Sequence, residues 1–194
     1  MRPTGARAVR VSWLVGMLPV LAGLTLRADE PAKASPSGKP AWQRLLQGED
    51  ARKAGEQEKQ LLKLQEAGKL KEALKVSESV ADLRAKKQGE DHWEARDARW
   101  NVEAIRQVLR QGQAAREDYA ASIALYRETG IQEDRGQFRK ALPLQEKVLA
   151  IRRRVLGEDH THTAESYNIV GNTLIYQARF GEAAEFLSVP RERC

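Results

Sequence analysis

The sequence predicts an all-α protein: antiparallel helix hairpins stacked into a solenoid of about two and a half repeats, with one inserted helix. Three observations predict it. From about Trp42 onward no stretch alternates apolar and polar residues as a half-buried strand would. Strong helix formers (Ala, Leu, Glu, Lys, Arg and Gln) fill the same region. One block also recurs without a gap: the 25 residues Gly68–His92 overlay Gly136–His160 with ten identities.

Taken in order, residues 1–28 read as an export signal. Arg2, Arg7 and Arg10 precede an apolar run from Val11 to Leu26, which is interrupted by Pro19 and two glycines. Sixteen residues are short of the roughly 20 that a membrane span requires. Cleavage sites follow Ala22 or Ala28, which places the mature protein in the periplasm or outside the cell. The alternative is a protein anchored by an uncleaved signal. No cysteine lies near the run, which excludes a lipoprotein anchor; Cys194, the last residue, is the only one. Residues 29–41, rich in Pro, Ser, Lys and Gly, form a flexible linker.

The repeat region spans 42–187, followed by an unstructured tail, 188–194. A first helix runs to Gly68, a helix stop. The next carries Leu70, Ala73, Leu74, Val76, Val80 and Leu83 as one apolar stripe and ends at Gly89. Ala98, Val102, Ile105 and Leu109 mark a third helix, and Ala115, Tyr119, Ile123 and Tyr126 a fourth. A fifth holds Phe138, Ala141, Leu142, Val148, Ile151 and Val155, with a slight kink expected at Pro143. The segment from Thr163 makes another helix and starts one more. Helices joined by so few residues fold back as hairpins.

The two copies of the block lie 68 residues apart, and a further unit begins only 42 residues on, where Phe180 and Ala183 repeat Phe138 and Ala141. The excess is one helix with its loop, so 113–135 is the insertion. Both copies of the block close on Gly-Glu-Asp-His. A glycine ends a helix, and an aspartate (Asp91 or Asp159) is expected to cap the next, with Thr161 as a direct alternative. Asp91 and Glu94 have the spacing of a capping box.

Gly136-x-Phe138-x-x-Ala141, a helix ending AIRRRVLGEDH, and then TAESYNIVGNTLIYQARFGEAAEFL resemble tetratricopeptide repeats of the 42-residue kinesin-light-chain type. Tyr167, Gly171 and Leu174 match that family's large-small-large first helix; Phe180 and Ala183 match the start of its second. The resemblance runs from about Leu61 to Leu187 and is strongest over 136–187. Trp93 and Thr161 depart from it, standing where the family has proline. The resemblance implies that the first helix of each unit lines a concave groove and that asparagines there hold a ligand's backbone. Asn168 and Asn172, one helical turn apart, match that pattern and are the expected partner-binding residues. Pro190 stops a helix that the pattern would continue, so the sequence reads as an N-terminal fragment of a longer repeat protein. Bacterial repeats of this kind are often joined to a catalytic domain, caspase-like peptidases among them.

Composition excludes other classes. The net charge of +6 comes mostly from four arginines in the first 28 residues; the rest holds 29 basic against 27 acidic residues, interleaved as on solvated helix faces. A nucleic-acid binder would carry its basic excess on the folded part. Asp159, His160 and His162 are the nearest approach to a metal site, but the third histidine, His92, lies a repeat away; no metal or cofactor is expected. There is no nucleophilic cysteine, Ser/His/Asp spacing, phosphate loop or His-Glu-x-x-His motif, so no catalytic residue is assigned. Arg152, Arg153 and Arg154 are expected on the convex side, in solvent. The sequence thus predicts a non-catalytic module that binds a protein or peptide, not nucleic acid and not a membrane once the signal is removed. The alternative is a regulatory or recruitment arm of a larger enzyme, such as a caspase-like peptidase.

Overall fold

A computed structural model describes residues 38–188. The export signal, residues 29–37 of the linker, Cys194 and the tail from residue 189 lie outside the described residues. Among those described, seven α-helices follow a single 3-10 turn at Ala41–Gln43. They are α1 (Gly48–Glu66), α2 (Leu70–Gln88), α3 (Trp93–Leu109), α4 (Gln113–Asp134), α5 (Phe138–Leu156), α6 (Thr161–Tyr176) and α7 (Phe180–Leu187). No helix among them is long and apolar enough to cross a membrane.

Most consecutive helices pack against each other: α1 with α2, α2 with α3, α4 with α5, α5 with α6, and α6 with α7. The exception is α3 with α4, which touch little although three residues join them. The helix expected at 113–135 is therefore present as α4, but it is the hairpin partner of α5. By the repeat register α3 corresponds to α6 and lies on α2 as α6 lies on α5, but unlike α6 it hardly touches the helix that follows it. At this break α4 turns to α1, and the end of α3 turns to α5.

One apolar cluster holds that junction together. It takes Leu61 from α1, Leu70 and Ala73 from α2, Ala104, Ile105 and Val108 from α3, Tyr119 and Ile123 from α4, and Val155 and Leu156 from α5. Tyr119 is fully buried, and its hydroxyl accepts from Gln65 Nε2 at 3.1 Å. Burial pushes that phenol up to about 12. A second cluster, Leu142, Leu149, Val170, Leu174 and Ala183, joins α5, α6 and α7. Gly171 belongs to this contact: a Cβ there would meet the Leu187 side chain at 2.6 Å, so the small residue of the large-small-large pattern lets α7 close on α6.

The two Gly-Glu-Asp-His turns are built alike. Gly89 (φ 94°, ψ 151°) and Gly157 (φ 91°, ψ 166°) take a backbone region that is essentially glycine's alone. The expected aspartate caps are corrected here. His92 caps α3 and His160 caps α6: each Nδ1 accepts a backbone N–H two residues on, from Glu94 at 3.3 Å and from His162 at 3.1 Å. Asp91 instead pairs with Arg44 at 2.6 Å, Asp159 is exposed, and Thr161 is the first helical residue. An imidazole reaches the N–H of the second helical residue from the cap position, which leaves the preceding aspartate free for other partners. Pro143 sits inside α5 on its exposed side.

The helix ends before these turns are also capped from afar. The Arg44 guanidinium donates to the Gln88 carbonyl at the end of α2. Gln107 donates to the Leu156 carbonyl at the end of α5, at 2.8 Å. Positions 88 and 156 are equivalent in the repeat, so two unrelated side chains satisfy the same orphan carbonyl.

Candidate functional site

Arg152 organises the region around the expected binding residues. Of the three arginines expected in solvent, only Arg153 and Arg154 are exposed; they pair with Glu158 at 2.7 Å and Asp118 at 2.6 Å. Arg152 is 4% exposed, a correction to the sequence reading. It lies four residues after Val148 and three before Val155, on the buried stripe of α5 rather than its outer face. Its Nη1 donates to the His162 carbonyl at 2.8 Å, to Ser166 Oγ at 2.9 Å and to Glu165 Oε2 at 3.1 Å. Its guanidinium also lies 4.8 Å from the centroid of the Tyr126 ring. One arginine thus ties α5 to the first turn of α6 and to α4.

Tyr126 completes the link, since its hydroxyl donates to Glu165 Oε1 at 3.2 Å. Burial, and then the charge of Glu165, push this phenol up to about 12. Further along, Glu133 of α4 accepts from Gln145 of α5 at 2.5 Å and from Thr173 of α6 at 3.4 Å. A polar seam therefore runs between α4 and α6 with α5 beneath it.

Asn168 and Asn172 stand on α6 beside this seam. Positions 165, 168 and 172 are three and four residues apart and so form one strip along the helix. Glu165, which holds Tyr126 and Arg152, heads the strip. Asn172 is exposed and Asn168 is half-buried.

The histidines read differently in three dimensions. The His160 and His162 rings meet edge-on at 5.0 Å, and Trp100 of α3 meets His160 at 5.8 Å. Burial first, and then the Arg152 charge, lower both imidazoles, His162 to about 3. Neutral rings suit the capping role, because Nδ1 must accept. Among the described residues no group of three or more His, Cys, Asp and Glu side chains is placed to hold a metal ion. In the first copy the ring partner differs: Trp93, which stands where the second copy has Thr161, stacks on His92 at 3.9 Å.

Two features escaped sequence reasoning. The identity of Arg84 with Arg152 across the repeat carried a signal for the buried arginine. Nothing in the sequence marked Arg44 or Gln107 as helix caps, because their partners lie 44 and 49 residues away.

The geometry defines a class: a stack of helix hairpins presenting polar strips along shallow grooves. Residues 130–188, from the end of α4 through α7, match the family model described as Tetratricopeptide repeat. With the packed helix pairs, that match supports a tetratricopeptide-repeat protein, a fold that is typically non-catalytic and generally binds proteins or peptides. No curated protein and no solved structure matches the chain.

Proposed function

We propose that this chain is a non-catalytic interaction module of the kinesin-light-chain-like repeat type, exported by its N-terminal segment. It binds an extended protein segment along α6, with Asn168 and Asn172 pairing to the ligand's backbone. The observation that carries this reading is the α6 strip itself: two asparagines one turn apart, on a helix pinned by Arg152. A preset strip lowers the ordering cost of binding. A recruitment arm of a larger enzyme would use the same strip.

The test is to select ligands from a displayed peptide library with the full chain and measure their affinity by calorimetry. The Asn168→Ala/Asn172→Ala pair is expected to weaken the selected peptides at least tenfold while leaving the helical circular dichroism unchanged. Equal affinity for both proteins would remove these residues from the site.

A further inference from the structure

A second groove lies outside the segment that matches the family model. It runs between α1 and α3 with α2 as its floor, and encloses about 360 Å³. Its walls carry three carboxylates, Glu58, Glu94 and Asp97, against one cation, Arg84. Arg84 is committed twice, to Glu58 at 2.6 Å and to Glu94 at 2.7 Å. Among the described residues no side chain hydrogen-bonds or ion-pairs with the Asp97 carboxylate. Asp97 lies exposed at the rim; desolvation first, and then the Glu165 charge, raise its carboxyl above the ordinary value against the opposing charges of Arg96 and Arg84. At the floor Ser77 is 1% exposed, and its Oγ has no hydrogen-bond partner. Leu61, Val80 and Ala98 supply apolar surface between floor and rim.

We propose that this groove receives a cationic side chain, a lysine or arginine projecting from an extended segment of a protein partner. The arrangement fits the two halves of such a side chain. The apolar lining takes the methylene stem, and the rim carboxylates take the head group, as long basic side chains divide themselves at interfaces. Asp97 is the rim carboxylate that no ion pair among the described residues engages, and Ser77 offers an unused hydroxyl at the floor. A neutral segment would leave both unmet, and an acidic one would also be repelled by the rim carboxylates. This assignment deepens the reading of the chain as a binding module by giving the partner a charge, and it rests on that reading. It does not depend on Asn168 or Asn172.

The experiment is an amide-detected NMR titration of the full chain with acetyl-Ala-Lys-Ala-Lys-Ala-amide, and separately with its glutamate counterpart. The lysine peptide is expected to give saturable shifts at Ser77, Asp97 and Asn101, and the glutamate peptide none there. Asp97→Asn is expected to weaken lysine-peptide binding at least fivefold, and Asp97→Lys to abolish it; Asp134→Asn, a surface change at the far end of α4, leaves it intact. Asp97→Asn should also raise the melting temperature, since it removes an unpaired carboxylate beside other acids, so lost binding is not lost folding. Unchanged affinity in Asp97→Asn, or equal shifts from both peptides, would overturn the assignment. Shifts confined to Asn168 and Asn172 would overturn it as well, while leaving the α6 reading in place.

Discussion

Ala178 is the one non-glycine residue with positive φ among the described residues, at 57°. It follows α6 where Gly68 and Gly136, both at φ 68°, follow α1 and α4. The third copy of the turn therefore adopts glycine's geometry with a methyl group in the way. A left-handed residue costs an L-amino acid about 1–2 kcal/mol, part of which glycine's unfolded-state freedom takes back. Ala178→Gly is expected to stabilise the chain by about 0.5–1 kcal/mol, read as a higher urea midpoint at unchanged slope. The repeat made this position legible from the sequence, because 136 and 178 stand 42 apart. Arg152 was less legible. An arginine run reads as a solvated face, and only its place on the apolar stripe of α5, repeated at Arg84, showed that one of the three turns inward.

At the scale of an element, α6 begins on two imidazoles that are held neutral, His160 as the cap and His162 by its burial. His160 Nδ1 accepts the N–H of His162, and His162 is held far below its unfolded value. The folded state thus binds fewer protons than the unfolded state over this interval. Stability is fully present above the unfolded value of about 6.5 and falls as the pH drops toward about 3. At pH 5 the loss from His162 is at most about 2 kcal/mol, and roughly half that for a side chain partly open to water. Thermal melts at pH 7 and pH 5 should therefore show a smaller difference for His162→Gln than for the unaltered chain. An identical difference would place the acid sensitivity elsewhere. The turn's position, length and glycine were readable from the two copies of Gly-Glu-Asp-His. Its capping atom was not, since aspartate is the commoner cap and only the coordinates show Asp91 drawn away to Arg44.

Across the whole molecule, the weak point of a repeat array is where the repeat breaks, between α3 and α4. Helices stacked in order share their stability with immediate neighbours. Here the cluster around Tyr119 joins five helices across the break. Tyr119→Ala is expected to cost about 3–5 kcal/mol, as for other large aromatic truncations. It should also uncouple the two sides. In a Trp100→Phe background, which removes the tryptophan that meets His160, the described tryptophans left are Trp42 and Trp93, both before α4, so their emission reports the N-terminal side while far-UV circular dichroism reports every helix. The two urea transitions should coincide in that background and separate once Tyr119→Ala is added. Coincidence in both would mean that the cluster is not the joint.

The sequence by itself determined the helices, their order and the kinship of the two turns. These follow from local rules: apolar spacing selects the helix, glycine ends it, and a duplicated block folds twice in the same way. It also brought Asn168 and Asn172 to one face, because residues four apart on a helix must share one. Tertiary structure alone decided that α3 packs on α2 and hardly on α4, that α4 packs on α5, and that Arg44 and Gln107 close distant helix ends. It also decided that Asp97 is left beside two other acids in the groove over Ser77. Those facts depend on which surfaces meet after the chain has folded back, and no local pattern encodes partners more than 40 residues apart.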